Sequence, residues 1–295
     1  MEKVLYCLVM FFLTILSWLP LRVHYLMSDF LYILLYKVFK YRLNVVIINI
    51  SRSFPEMDYK GVKKVTKGFY HSLCDTIVET LWAFGHSREK VGKLLDFRGC
   101  SVLNEAYGEG KNVLVVMGHQ SNWELYTSLP DLKGHYGLEM DNGHFFYIYK
   151  KMSGKVSDMV IRRIRQKHGA CVLIEKNRIV RHLLSTKDEG GVYYFMADQF
   201  PDRGSGVDIE FLHQPTKVFN GVEELARKLS LPVVFFSVDR VKRGLYKSEY
   251  VKICDDASQT EAGYVTKEYV RLLEESINNN KSNWLWSHRR WKKLK

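Results

Sequence analysis

The segment Asn112-Val113-Leu114-Val115-Val116-Met117-Gly118-His119-Gln120-Ser121-Asn122-Trp123-Glu124 decides how the rest of the chain is read. Its first half is an unbroken apolar run rich in β-branched residues. Such a run predicts a strand buried on both faces. Gly118 ends it, and His119 follows at the strand's carboxyl end. Ser121 or Asn122 can cap a helix predicted from Trp123 onward, with Glu124 in its first turn. Ligands of open α/β sheets bind at that edge. A neutral imidazole there can take a proton from a hydroxyl. Glu124, five residues on, is close enough in sequence to fold back and fix its tautomer. Free N–H groups at the helix start can face an oxyanion. A satisfied histidine beside a helix-terminal glutamate is the competing, purely structural reading.

Outward from this segment, strand and helix alternate. Lys60–Leu81 carries Val65, Phe69, Leu73, Ile77 and Leu81 at helical spacing, and Pro55 with Glu56 marks a preceding helix start. The pattern predicts strands at 144–149, 170–174, 191–197, 231–238 and 246–253. It predicts helices at 154–168, 178–185, 222–229 and 264–278, and a short strand at Asp96–Arg98. The fold class that follows is α/β, with a mostly parallel central sheet flanked by helices.

The first 50 residues differ from the rest. Val4–Leu21 is uncharged and strongly apolar, and near the minimum length for crossing a bilayer, roughly 17–25 residues. A second block, Tyr25–Tyr36, is interrupted by Ser28 and Asp29 and closed by Lys37, Lys40 and Arg42. A secretory signal is the rival, but no small-residue cleavage site follows. The reading is a membrane anchor over residues 1–50, transmembrane or interfacial, ahead of a catalytic domain over 51–295.

The 295 residues hold 44 Lys and Arg against 32 Asp and Glu, a net charge of +12. That balance favours acidic partners. The five scattered cysteines form no C-x-x-C pair, so neither a disulfide framework nor a zinc site is suggested. No Walker, Rossmann, G-x-S-x-G or H-E-x-x-H pattern is present. Arg162, Arg163 and Arg165 close one helix, where they either complement its dipole or bind an anion. Asp198 follows a buried strand, either capping a turn through Gly204 or binding a polar substrate group. Phe211–Gly221 can line an acyl pocket or simply pack. The Trp- and Arg-rich stretch from Trp284 to Lys293 fits RNA or a membrane interface, and the apolar amino terminus favours the membrane.

Several motifs taken in order resemble one family. Gly118-His119-x-x-Asn122-Trp123-Glu124 resembles the H-x4-E/D block of the lipid A late acyltransferases, within the lysophospholipid acyltransferase superfamily. Phe54-Pro55-Glu56, Arg165-x-x-x-Gly169, Ala197-Asp198-Gln199, Gly221–Pro232 and Trp284-x-Trp286-x-His288-Arg289-Arg290-Trp291 match in the same order. Gln120-Ser121 depart from the aromatic residue that often follows the histidine. The resemblance implies an enzyme on the cytoplasmic face of the bacterial inner membrane. It would move an acyl chain from acyl carrier protein to a hydroxyl of a lipid A precursor, with no metal or other cofactor and no nucleic acid. His119 would be the general base and Glu124 its orienting partner. Arg165, with Arg162 or Arg163 in a lesser part, would steady the oxyanion or a lipid phosphate, with Asn122, Asp198 and Gln199 in the same polar, substrate-binding site. Transfer to another lipid, such as a lysophospholipid or aminoacyl lipid, and a non-catalytic basic membrane protein are the alternatives.

Overall fold

The computed structural model describes residues 1–108, 111–140, 143–167, 171–186, 189–201 and 206–291. Gly169, Gly204, Lys292 and Lys293, used in the sequence reading, lie outside them.

Four helices open the chain: α1 (Glu2–Ser17), α2 (Leu21–Tyr32), α3 (Leu43–Ser53) and the long α4 (Tyr59–Gly85). A π-helical turn, Ile33–Val38, extends α2. Helix α4 starts at Asp58, whose carboxylate accepts from the Gly61 N–H at 2.7 Å. The expected start at Pro55–Glu56 is therefore corrected by three residues: Asp58 can cap, and Glu56 does not. Short helices α5 (Arg88–Gly92) and α6 (Cys100–Gly108) bracket strand β1 (Leu95–Arg98).

Strand β2 (Asn112–Met117) is buried along its whole length. Leu114 and Val116 face one apolar cluster with Phe69, Tyr269 and Trp284. Val113, Val115 and Met117 face another with Leu103, Tyr126 and Leu129. Alternate side chains point to opposite faces, so a strand covered on both sides must be apolar at every position. The helix expected from Trp123 is a 3-10 turn, Trp123–Ser128, followed by the single α turn α7 (Leu129–Leu132).

Beyond it the chain runs β3 (Phe145–Tyr149), α8 (Lys155–Arg165), β4 (Cys171–Glu175), α9 (Ile179–Ser185) and β5 (Gly191–Met196). Strands β6 (Val207–Phe211) and β7 (Gln214–Val218) form a separate hairpin that the sequence pattern did not reveal. Its two turn residues, Leu212 and His213, both have positive φ (49° and 59°). That is the backbone of a tight hairpin turn, built here without the asparagine or glycine that usually signals it. Helix α10 (Gly221–Leu229), strands β8 (Val233–Lys242) and β9 (Leu245–Cys254), and α11 (Tyr264–Asn279) complete the core. The main sheet has seven strands in the order β1-β9-β8-β2-β5-β3-β4. Its pairings are parallel except for the antiparallel β8–β9 hairpin.

The opening helices pack on α4. Ser28 donates to Asp75 at 2.5 Å, and Tyr25 to Glu79 at 3.0 Å. Arg243, in the β8–β9 turn, bridges Asp29 and Asp75, each at 2.7 Å. A Cβ at Gly85 would collide with the Ser17 carbonyl, so the end of α1 lies directly on the end of α4. The outer faces carry exposed Leu8, Phe11, Phe12, Ile15, Leu26 and Phe30. Among the described residues no single helix is long and apolar enough to cross a membrane. Together α1 and α2 with its extension reach that composition, bent by 117°.

Asp75 is 1% exposed and pairs with both Arg240 and Arg243. Replacing it would strand Arg240 and leave Arg243 with Asp29 alone, so Asp75→Ala is expected to lose about 3–5 kcal/mol of stability. Chemical denaturation of the detergent-solubilised protein measures this, and a loss under about 1 kcal/mol would refute the role assigned to the network.

Candidate active site

Strands β2 and β5 are parallel neighbours in a register that sets Met117 opposite Met196. His119 and Asp198 each lie two residues further on, so they leave the sheet side by side. The Ala197 N–H still bonds the Met117 carbonyl at 3.1 Å, holding the two strands together up to this point. Asp198 accepts from His119 Nδ1 at 2.6 Å and from the His119 backbone N–H at 2.8 Å. Trp284 Nε1 donates to the same carboxylate at 2.8 Å. The Asp198 side chain is 2% exposed and that of His119 is 15% exposed. Nδ1 is thus engaged, leaving Nε2 to meet a substrate.

The pairing fixes both protonation states. Burial alone would disfavour the imidazolium, but the Asp198 charge and hydrogen bond outweigh it and raise the His119 pKa. Burial would likewise push Asp198 up. Its facing imidazole, with three hydrogen bonds, instead holds it down at about 2.

The expected dyad of His119 with Glu124 is corrected here. The Glu124 carboxylate is taken by Arg165 of α8 through two bonds, Nε at 2.8 Å and Nη2 at 2.5 Å. Trp123 Nε1 adds a third at 3.1 Å. A guanidinium fork matches a carboxylate in two bonds, which an imidazole cannot do. Burial opposes ionisation of Glu124, yet Arg165 lowers its pKa, and Glu124 in turn raises that of Arg165 against its own burial. The two pairs remain neighbours, because the Trp123 ring packs edge-on to His119 at 5.1 Å.

Asn122 is not placed for substrate. It is fully buried, and its Nδ2 donates to Glu79 of α4 at 2.8 Å. The caps expected of Asn122 and Ser121 are absent. Ser121 adopts φ 51° and donates to the Val238 carbonyl at 3.2 Å. Arg162 and Gln199 are exposed, and Gln199 borders an open groove. Phe211 and Thr216 are buried in the hairpin and packed under the carboxyl-terminal segment, whereas Pro215 and Phe219 of the same stretch are exposed; none of them lines either groove beside Trp123. Trp284 and Trp286 are buried too, which corrects their assignment to a membrane interface.

Two features escaped the sequence reading. Glu79, fully buried, accepts from Tyr25, Asn122 and Tyr246 and so ties the His119 loop to α2, α4 and β9. Its only signal was a carboxylate placed four residues beyond Asp75 on one helix. The bond from Trp284 to Asp198 spans 86 residues, and although both residues stand in the matched motifs no local pattern pairs them. Among the described residues no His, Cys, Asp or Glu group is arranged to hold a metal ion.

The model for bacterial lipid A biosynthesis acyltransferases matches residues 1–293. The chain belongs to that family. This acyltransferase is 23% identical over 251 residues to a lipid A biosynthesis palmitoleoyltransferase of Escherichia coli (strain K12). It is equally similar to a lipid A biosynthesis acyltransferase of Shigella flexneri. Each match covers 83% of this acyltransferase and 76% of the relative.

Two grooves of this acyltransferase share Leu73, Ile77 and Trp123 on their walls, and the Trp123 ring is the one packed on His119. One, about 590 Å³, runs between α1, α2, α4 and α8 and is mostly apolar, with Thr76, Thr80 and Glu124 as its polar residues. The other, about 470 Å³, has Arg42, Gln199 and His288 on its wall.

The electrostatics set a direct test. His119 is expected to titrate above the ordinary imidazole value of about 6.5. In Asp198→Asn the carboxylate's charge is gone and burial acts with less opposition, so the pKa falls. Imidazole nitrogen NMR against pH reads both, and an unchanged His119 titration in the variant would remove the pairing from the account.

Proposed function

We propose that this acyltransferase moves a fatty acyl chain from acyl carrier protein to a hydroxyl of a lipid A precursor at the cytoplasmic face of the inner membrane. The observation that carries the reading is the buried Asp198–His119 pair opening beside an apolar groove. In the proposed step, His119 Nε2 takes the proton of the acceptor hydroxyl as the oxygen attacks the thioester carbonyl. The Asp198 charge favours the imidazolium so formed and its bond to Nδ1 holds the ring in one tautomer. The tetrahedral oxyanion collapses, the C–S bond breaks, and the imidazolium returns the proton to the leaving thiolate. The products are the new ester and the free thiol.

Arg165 supports the oxyanion in this reading. Glu124 engages Nε and one terminal nitrogen, so Nη1 still has both N–H donors for developing negative charge. Glu124 is therefore the residue that aims Arg165, and His119 draws its own partner from β5. The apolar groove suits the acyl chain. Its walls are side chains such as Leu13, Ile161 and Ile164, and a saturated chain gains about 0.8 kcal/mol per buried methylene. Membrane association rests on the exposed apolar faces of α1 and α2 and on the +12 charge, which attracts anionic headgroups as it does an acidic carrier. Basic residues flanking such helices favour the cytoplasmic side.

Purified protein given acyl carrier protein thioesters and a lipid A precursor tests the reading by mass spectrometry of the lipid. His119→Ala is expected to lose roughly 10²–10⁴-fold in kcat. Transfer at the wild-type rate in that variant would exclude the imidazole as base. The wild-type rate should rise with pH through the elevated His119 pKa, since only the neutral ring accepts a proton. In Ile164→Trp the apolar groove is shortened, and preference should move to shorter acyl donors with the acceptor KM unchanged. An unaltered donor preference would take the chain out of that groove.

A further inference from the structure

The second groove differs from the first in its chemistry, and the difference assigns it a substrate. Both grooves are bordered by Trp123, whose ring packs edge-on to His119, so both lie one ring away from the imidazole. A transfer reaction needs two substrates to reach one point. The first groove has a single charged side chain, Glu124, already paired with Arg165. It can hold a hydrocarbon chain and little else. The second mixes Leu35, Leu73 and Ile77 with Arg42, Gln199 and His288. That is a surface for a molecule with both a chain and a polar, anionic head.

We propose that this second groove holds the headgroup end of the acceptor lipid, with Arg42 binding its phosphate. The inference rests on the acyl-transfer reading above and names the acceptor's subsite. Arg42 is exposed, and among the described residues no carboxylate pairs with it. Its Nη1 donates to the Ser287 carbonyl at 3.0 Å, which fixes the side chain on the groove wall. Four of its five N–H donors remain for an anion. Planar guanidinium donors match phosphate oxygens in two bonds at once.

The backbone around Arg42 is specially arranged. Arg42 has φ 51° and Lys40 φ 49°, in the left-handed region that side chains other than glycine, asparagine and aspartate rarely occupy. Asn49, on the helix that follows, donates to the Trp286 and His288 carbonyls, each at 2.9 Å. The segment so held is the one that sends Trp284 to Asp198. Arg42 is thereby tied through α3 and the carboxyl-terminal segment to the buried carboxylate of the site. Exposed Lys37 and Lys40 add positive charge to the same turn.

Steady-state kinetics of the full-length protein in mixed micelles tests this. The donor is an acyl carrier protein thioester, and the acceptor is a phosphorylated lipid A precursor or the same lipid after phosphatase treatment. Arg42→Asn suits the left-handed backbone and removes the charge; thermal unfolding should match the wild type. The expected result is a KM for the phosphorylated acceptor raised about tenfold or more, with donor KM and kcat within about twofold. The phosphate-free acceptor should show no difference between variant and wild type, and Arg42→Lys should recover part of the loss. An equal rise with both acceptors, or no rise with the phosphorylated one, overturns the proposal. So does a loss explained by weaker binding to phosphatidylglycerol vesicles, which would make Arg42 a general membrane contact. Absence of transfer by the wild-type protein would instead overturn the acyl-transfer reading itself.

Discussion

One buried carboxylate organises this molecule's working end. Asp198 sits 2% exposed at the end of β5 and is held ionised by His119 Nδ1, the His119 N–H and Trp284 Nε1. A carboxylate out of water is costly unless it is paired and hydrogen-bonded, and these three donors meet that condition. The pairing also dictates geometry. Because two of the donors belong to one residue, the imidazole cannot turn without breaking its anchor. A third donor, from Trp284, brings the carboxyl-terminal segment under the sheet edge and closes that side of the site.

The remaining network keeps the loop after His119 in place. Ser121 N bonds the Asn283 carbonyl at 2.6 Å, and Thr76 Oγ1 bonds the Ser121 carbonyl at 3.1 Å. Asn122 is secured by Glu79. Long-range partners thus replace the local helix cap that the sequence suggested. Glu79 also accepts from Tyr25 of α2, so the apolar opening helices and the His119 loop share one support. Positioning of this kind holds the His119 loop and the Arg165–Glu124 pair in fixed relation.

Helix α4 shows where patterning misleads. Leu73, Ile77 and Leu81 recur at helical spacing and read as core. They border the apolar groove instead, and Ile77 is 47% exposed. The buried face of the same turns carries Ser72, Asp75, Thr76 and Glu79 among the apolar Cys74 and Val78. Periodicity reports that a helix has an apolar side, but not whether protein or substrate covers it. A helix that lines an open apolar groove and buries polar side chains on its other face departs from the usual assignment.

The sequence alone determined the α/β class, the central buried strand, the place of His119 at its end and the excess of positive charge. Each follows from local residue order, because strand burial and helical spacing are written in consecutive positions. Family motifs also singled out Asp198 and Arg165. Tertiary structure alone decided the pairing among them. Glu124 is five residues from His119, yet the carboxylate that holds the imidazole lies 79 residues away. Parallel register places neighbouring strand ends side by side whatever their separation along the chain. The fork of Arg165, delivered by α8, then claims the nearer glutamate because it offers two bonds where the imidazole offers one.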